Sequence, residues 1–120
     1  MKIAISSEGN TLESKVDSRF GRAKYFIIVD SDTNEYKVID NFAALQGSGA
    51  GTKAAQILLD EGIAYVISSN VGPNALEVFQ AADINIYKAV NGTIKENINE
   101  FKKGTLEKIL MPTNNGHHGE

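Results

Sequence analysis

The run Ala64-Tyr65-Val66-Ile67-Ser68 lies between two stretches of helical periodicity, and it restricts the choice of fold more than any other part of the chain. It is apolar almost without interruption, so it reads as a strand buried on both faces. Strands of that kind belong to parallel sheets held between layers of helices. Ahead of it, Ala54, Ala55, Leu58 and Leu59 recur on one helical face, and Gly62 follows where a left-handed residue ends a helix. Thr52 or Gly51 is placed to cap the start of that helix. Behind it, Asn70-Val71-Gly72-Pro73 opens a second helix with proline in its first turn, and Ala75, Leu76, Phe79 and Ala82 make the apolar stripe.

The flanking sequence supplies the other strands. Lys2 to Ser6 reads as strand one. From Ser7 to about Asp17 the residues are polar or small and show no clear period. Such long connections are usually functional or mobile, and this one has room for a short helical turn. Lys24 to Asp30 is β-branched and aromatic and reads as strand two. Ser31-Asp32-Thr33-Asn34 is turn chemistry, and Glu35 to Asp40 returns as strand three of an antiparallel hairpin. Asn41 to Gly51 is a loop that ends in Gly47-Ser48-Gly49-Ala50-Gly51. Ile84 to Tyr87 is a short strand five. After the Asn91-Gly92 turn, Thr93 and Glu96 form a capping box for a third helix with Ile94, Ile98 and Phe101 on its buried face. Leu106, Ile109 and Leu110 read as a closing amphipathic turn. Residues 1–111 are thus expected to form a single α/β domain, and 112–120 a polar tail without fixed structure.

Connectivity then decides what meets what. Two right-handed crossovers, strand three to four and strand four to five, make strands three, four and five parallel and set strand two against them. With strand one in the middle, parallel to strand four, the sheet is mixed. The loops Ser6–Ser7, Arg19–Lys24, Gly47–Gly51 and Ser69–Gly72 should then converge on one edge, outside the carboxyl ends of strands, where open α/β sheets bind ligands. Two helices start at that edge, and each offers unpaired N–H groups and a partial positive charge. Arg19 and Arg22 bracket Phe20-Gly21 at the mouth of strand two, and an arginine fork suits anionic or planar ligands. The expected site is therefore an anion pocket of Arg19, Phe20, Gly21, Arg22, Gly47, Ser48, Gly49, Gly51, Asn70 and Gly72. Phe20 has the alternative of being a core residue.

Several function classes fall away. The glycine run lacks the spacing and the Gly-Lys-Ser/Thr ending of a nucleotide phosphate loop. Asp30, Asp32 and Asp40 lie at opposite ends of the hairpin, so they do not make the carboxylate set that two-metal nuclease chemistry needs. A net charge of −3 argues against broad affinity for nucleic acid or anionic membrane. There is no cysteine, which excludes disulfides and thiolate-held clusters. His117 and His118 sit in the tail, where they are candidate metal ligands but cannot join a Ser-His-Asp arrangement. The N-terminal segment Met1-Lys2-Ile3-Ala4-Ile5 turns polar too early for a signal peptide, and no apolar run reaches the roughly 20 residues of a membrane span. The expectation is a cytoplasmic, non-catalytic protein.

The segment Val16-Asp17-Ser18-Arg19-Phe20-Gly21-Arg22-Ala23-Lys24-Tyr25-Phe26 carries a specific resemblance, joined by Gly47-Ser48-Gly49-Ala50-Gly51, Gly62-Ile63, Gly72-Pro73-Asn74-Ala75 and Asp83-Ile84. From Met1 to about Leu110 the chain resembles the dinitrogenase iron-molybdenum cofactor biosynthesis family, which includes nitrogenase accessory proteins that carry the cofactor or its precursors. The resemblance implies a three-layer α/β/α, ribonuclease H-like fold with a five-stranded mixed sheet in the order 3-2-1-4-5. It also implies a carrier for an anionic metal–sulfur cofactor, the iron-molybdenum cofactor or an iron–sulfur precursor, with a cofactor-assembly protein as partner. Many relatives carry His immediately before the Phe-Gly pair. Arg19 stands there in this chain, and a guanidinium stays protonated, so it pairs with charge rather than ligating metal. The alternative is a small regulatory module that binds a phosphorylated small molecule or a protein partner at the same edge.

Overall fold

The computed structural model describes residues 1–45 and 47–113. His117 and His118, the expected metal ligands, lie outside the described residues. The elements are β1 (Lys2–Ser7), β2 (Tyr25–Asp30), β3 (Tyr36–Asp40), a 3-10 turn (Phe42–Leu45), α1 (Ala50–Asp60), β4 (Tyr65–Ser68), α2 (Pro73–Ala81), β5 (Asn85–Lys88) and α3 (Ile94–Lys103). The sheet order is β3-β2-β1-β4-β5, with β2 antiparallel to both neighbours and β1, β4 and β5 parallel. This is the mixed sheet that the sequence implied.

Strand alternation divides the core into two layers. Ala4, Phe26, Ile28, Val66 and Ile86 face α1 and α2 and pack on Ala54, Ala55, Leu58, Leu76 and Phe79. Ile3, Ile5, Ile27, Val29 and Ile67 face the opposite way, onto Ile94, Ile98 and Leu106. The long β1–β2 connection covers part of that second face through Leu12 and Val16. It is tied by backbone bonds and not by helix: Val16 N–H donates to the Gly92 carbonyl at 3.1 Å, and Glu8 N–H to that of Lys15 at 2.9 Å.

Four local expectations change. The first helix begins at Ala50, with Gly49 as its N-cap in the left-handed conformation (φ 73°), so Gly51 and Thr52 lie inside the first turn and cap nothing. Buried Ala50 anchors the helix start two or three residues earlier than a cap at Gly51 or Thr52 would place it. Ala82 is the C-cap of α2 and is exposed, because the helix stops at Ala81 before that face returns to the core. The closing segment is extended and not helical: Lys88 N–H donates to the Glu107 carbonyl at 2.7 Å and Ile109 N–H to the Ile86 carbonyl at 2.8 Å. Leu106 and Ile109 are buried in the two different core layers, on opposite faces of the sheet, while Leu110 is 72% exposed. The described chain also continues past the expected boundary at 111, since Thr113 N–H donates to the Val71 carbonyl at 2.8 Å.

Candidate functional site

Sheet polarity gathers the candidate loops on one rim. Ser7 pairs with Tyr25, Tyr25 with Asp40, and Ser68 with Lys88, so the ends of β1, β3, β4 and β5 and the start of β2 share an edge. Connections leave β1 toward β2 on one side, whereas α1 carries the chain across to β4 on the other. The connections therefore lead to opposite sides at the boundary between the parallel strands β1 and β4, the position at which open α/β sheets form ligand crevices.

Residues 17–23 run along this rim. Asp17 N–H donates to the Ser6 carbonyl at 3.0 Å. The Ser6 hydroxyl donates to the Asp17 carbonyl at 2.9 Å and lies 3.2 Å from the Ser68 hydroxyl. Short hydroxyl side chains let β1, β4 and the arginine segment meet in a buried knot. The Asp17 carboxylate, itself buried, accepts from the Arg19 backbone N–H at 2.9 Å, from Nε at 3.1 Å and from Nη2 at 3.1 Å. Hydrogen bonding and charge from Asp17, with a further contribution from the charge of Glu8, raise the Arg19 pKa above its ordinary value. The Arg19 side chain remains 65% exposed.

The next residues turn inward. Phe20 is 1% exposed and packs against Phe26 at 5.2 Å and Phe79 at 5.5 Å between ring centroids. Its ring is core and does not line the rim. Gly21 is buried, and its carbonyl accepts from Asn41 Nδ2 at 3.0 Å; that of Ala23 does so at 2.8 Å. Arg22 Nη1 donates to the Ala44 carbonyl at 2.8 Å and Nη2 to the Gly47 carbonyl at 3.2 Å. Arg22 thus fastens the glycine turn, while Arg19 is held by Asp17 beside Glu8. The arginine motif spans the rim, with one guanidinium toward each side.

Gly47, Ser48 and Gly49 are exposed at the start of α1, and Gly51 is buried in its first turn. Gly72 is buried as the N-cap of α2. Both helices start from a glycine N-cap, which has no side chain to accept from the first turn. α3 is different: Glu96 N–H donates to Thr93 Oγ1 at 3.1 Å, and the Ile94 and Lys95 N–H groups donate to the carbonyls of Ser14 and Leu12 at 2.9 Å. Asn70 Nδ2 donates to the Ser18 carbonyl at 2.9 Å, tying the loop after β4 to the arginine segment.

Two features escaped the sequence reading. Asn41 is buried, and its Oδ1 has no hydrogen-bond partner among the described residues. Its signal was a polar residue immediately after a strand, at the root of the glycine loop. The second feature is a groove of about 520 Å³ on the β5 side of Asn70, lined among others by Glu8, Lys15, Ser18, Asn70, Lys88 and Asn91. No local motif marks its two lysines.

This rim can hold an anion through N–H groups, hydroxyls and cations. It offers little for direct ligation: the chain has no cysteine, and the described residues contain no group of three or more His, Asp or Glu side chains able to share a metal ion. Among the described residues, no helix is long and apolar enough to cross a membrane.

Comparison with known proteins agrees with the architecture. The family described as dinitrogenase iron-molybdenum cofactor matches residues 1–104. An uncharacterized protein of Methanocaldococcus jannaschii is 37% identical over 112 residues, covering 91% of this chain and 92% of that one. The apo form of the orange protein from Desulfovibrio gigas superposes with a TM-score of 0.91 at 33% identity, over 94% of this chain and 96% of that one. A Thermotoga protein of the DUF35 family, solved by NMR, gives a TM-score of 0.82 at 40% identity, over 94% and 97%. On the extent of that match, from the first strand to the end of α3, the chain belongs to the dinitrogenase iron-molybdenum cofactor family.

Proposed function

We propose that this protein is a non-catalytic carrier that holds an anionic metal–sulfur cofactor, the iron-molybdenum cofactor or an iron–sulfur precursor, on the rim at the carboxyl ends of the strands. The observation that carries the reading is the single rim at the carboxyl ends of the strands, onto which the arginine segment, the glycine-capped start of α1 and the groove lined by Lys15 and Lys88 all open. Family membership supports the class of cargo. An apo form of the orange protein fits a family whose members carry a ligand.

The chemistry of the donors suits a preformed cluster. With no thiolate in the chain, the cargo keeps its own sulfides and is gripped from outside by N–H groups and cations. Each helix N-terminus contributes about 0.3–1 kcal/mol toward an anion, too little alone for stable retention. The guanidinium and ammonium groups of the rim supply the remainder, and binding should weaken as salt rises.

The test is anaerobic incubation of the full chain with isolated iron-molybdenum cofactor, followed by gel filtration. Visible absorbance that co-elutes with the protein is the expected result. Release of all absorbance into the small-molecule fraction contradicts the carrier reading.

A further inference from the structure

We infer that the groove between Lys15 and Lys88 is an oligoanion site, and that the cargo of the carrier sits there and not against the arginine–glycine side of the rim. Only the identity of the cargo rests on the carrier reading; the anion site rests on the groove itself.

The two sides of Asn70 differ in how their cations are engaged. Arg19 is clasped by a buried carboxylate, and Arg22 is hydrogen-bonded to two carbonyls of its own chain. Lys15 and Lys88 are exposed and form no ion pair among the described residues, yet both line one concavity. They come from different elements, Lys15 from the β1–β2 connection and Lys88 from the end of β5. They are brought together because the backbone of Lys15 bridges to Thr93 and so docks that connection onto the turn that follows β5. Two ammonium groups stand against one carboxylate, Glu8, in a chain whose net charge is −3.

Position and size agree with a ligand site. The groove opens where the loops after β1, β4 and β5 meet, at the boundary from which the connections lead to opposite sides. Its volume of about 520 Å³ falls within the roughly 300–1,000 Å³ of small-molecule sites. Ser18, Ser69, Asn70 and Asn91 add hydroxyl and amide groups to the lining, which suits an anion carrying several acceptor atoms. Ammonium groups are compact point charges without the fixed fork of a guanidinium, so they accommodate a rounded polyanion as well as a flat one. A metal–sulfur cluster and a phosphorylated small molecule share this chemistry.

Backbone amide NMR on the full chain separates the sources. One anaerobic titration uses inorganic pyrophosphate, the other isolated iron-molybdenum cofactor. Shifts with the first, and line broadening with the second, should gather at Lys15, Ser69, Asn70 and the segment from Lys88 to Gly92. In Lys15→Gln/Lys88→Gln the affinity should fall roughly tenfold at physiological salt, with the melting temperature unchanged because both side chains are exposed. Glu8→Gln should bind more tightly than the parent. Pyrophosphate mapping to the groove without any response to the cofactor would uphold the anion site and sink the metal–sulfur cargo. Perturbations confined to Arg22 and Gly47–Gly51, or unchanged affinity in the double lysine variant, would overturn the groove and leave the carrier reading standing. Silence of the groove amides toward both probes would also overturn it.

Discussion

Asn70 donates its side-chain amide to the Ser18 carbonyl at 2.9 Å, and this bond joins the loop after β4 to the arginine segment at the point where the rim divides. On one side lie Arg22 and the glycine turn; on the other lie Glu8, Lys15 and Lys88. Asn70→Ala should lower stability by about 0.5–1.5 kcal/mol, the usual loss for one such hydrogen bond. Hydrogen exchange should show faster opening around Ser18 and Asn70, with the amides of β1 and β4 unaffected. Unchanged exchange at both loops would mean that the bond does not hold them together.

Arg22 separates charge from geometry. Its fork reaches two carbonyls, those of Ala44 and Gly47. Arg22→Lys retains the charge but cannot span both acceptors. It should lower stability by about 1–2 kcal/mol and loosen the glycine turn. If cargo sits in the lysine groove, uptake by Arg22→Lys stays near that of the parent. A lysine variant as stable as the parent would show that the fork is not a structural clasp.

Phe20 was a candidate for ligand contact in the sequence and is core in the structure. Its ring packs on Phe26 and Phe79 and is 1% exposed. Phe20→Ala should destabilise the fold by about 3–5 kcal/mol, read from urea denaturation. A loss below about 1 kcal/mol would contradict the burial.

The acid limb of the stability curve should respond to Asp30. Its carboxylate accepts the N–H groups of Asp32 at 2.8 Å and Thr33 at 3.3 Å. These bonds lower its pKa below the ordinary 3.8. The lowered value means that the folded state favours the charged form. That stabilisation is fully present above the ordinary value and is lost as pH falls through the lower folded one. Glu100, lowered by Thr105 and Lys103 from an ordinary 4.5, acts in the same direction. Melting temperatures between about pH 6 and pH 2 should decline less steeply for Asp30→Asn than for the parent. Parallel declines would remove Asp30 from the account.

Much of this architecture was legible because strong local signals agreed with one another. The apolar run at Ala64–Ser68 demanded cover on both faces, and two crossovers of fixed hand then set the strand directions. Thr93 and Glu96 announced the start of α3, and both bonds of the box are present. The rim followed from connectivity, which placed Arg22 beside Gly47 without any contact information. What failed to show were features set by distant docking. Leu106, Ile109 and Leu110 carry spacing compatible with a helical turn, but β5 offers an open edge and the segment pairs with it. Lys15 and Lys88 share a groove only because the β1–β2 connection lies across the start of α3. The Asp17 clasp on Arg19 was foreshadowed by their proximity in sequence, but its burial depends on Ser6 and Ser68 meeting beneath it.

The most direct test of where and how the cargo is held is diffraction from cofactor-loaded crystals at the molybdenum absorption edge. The account predicts an anomalous peak at the carboxyl ends of the strands, within the groove lined by Lys15, Asn70 and Lys88, with no protein atom bonded to the metal. A peak at the opposite end of the sheet, or one coordinated directly by side chains of this chain, would contradict it.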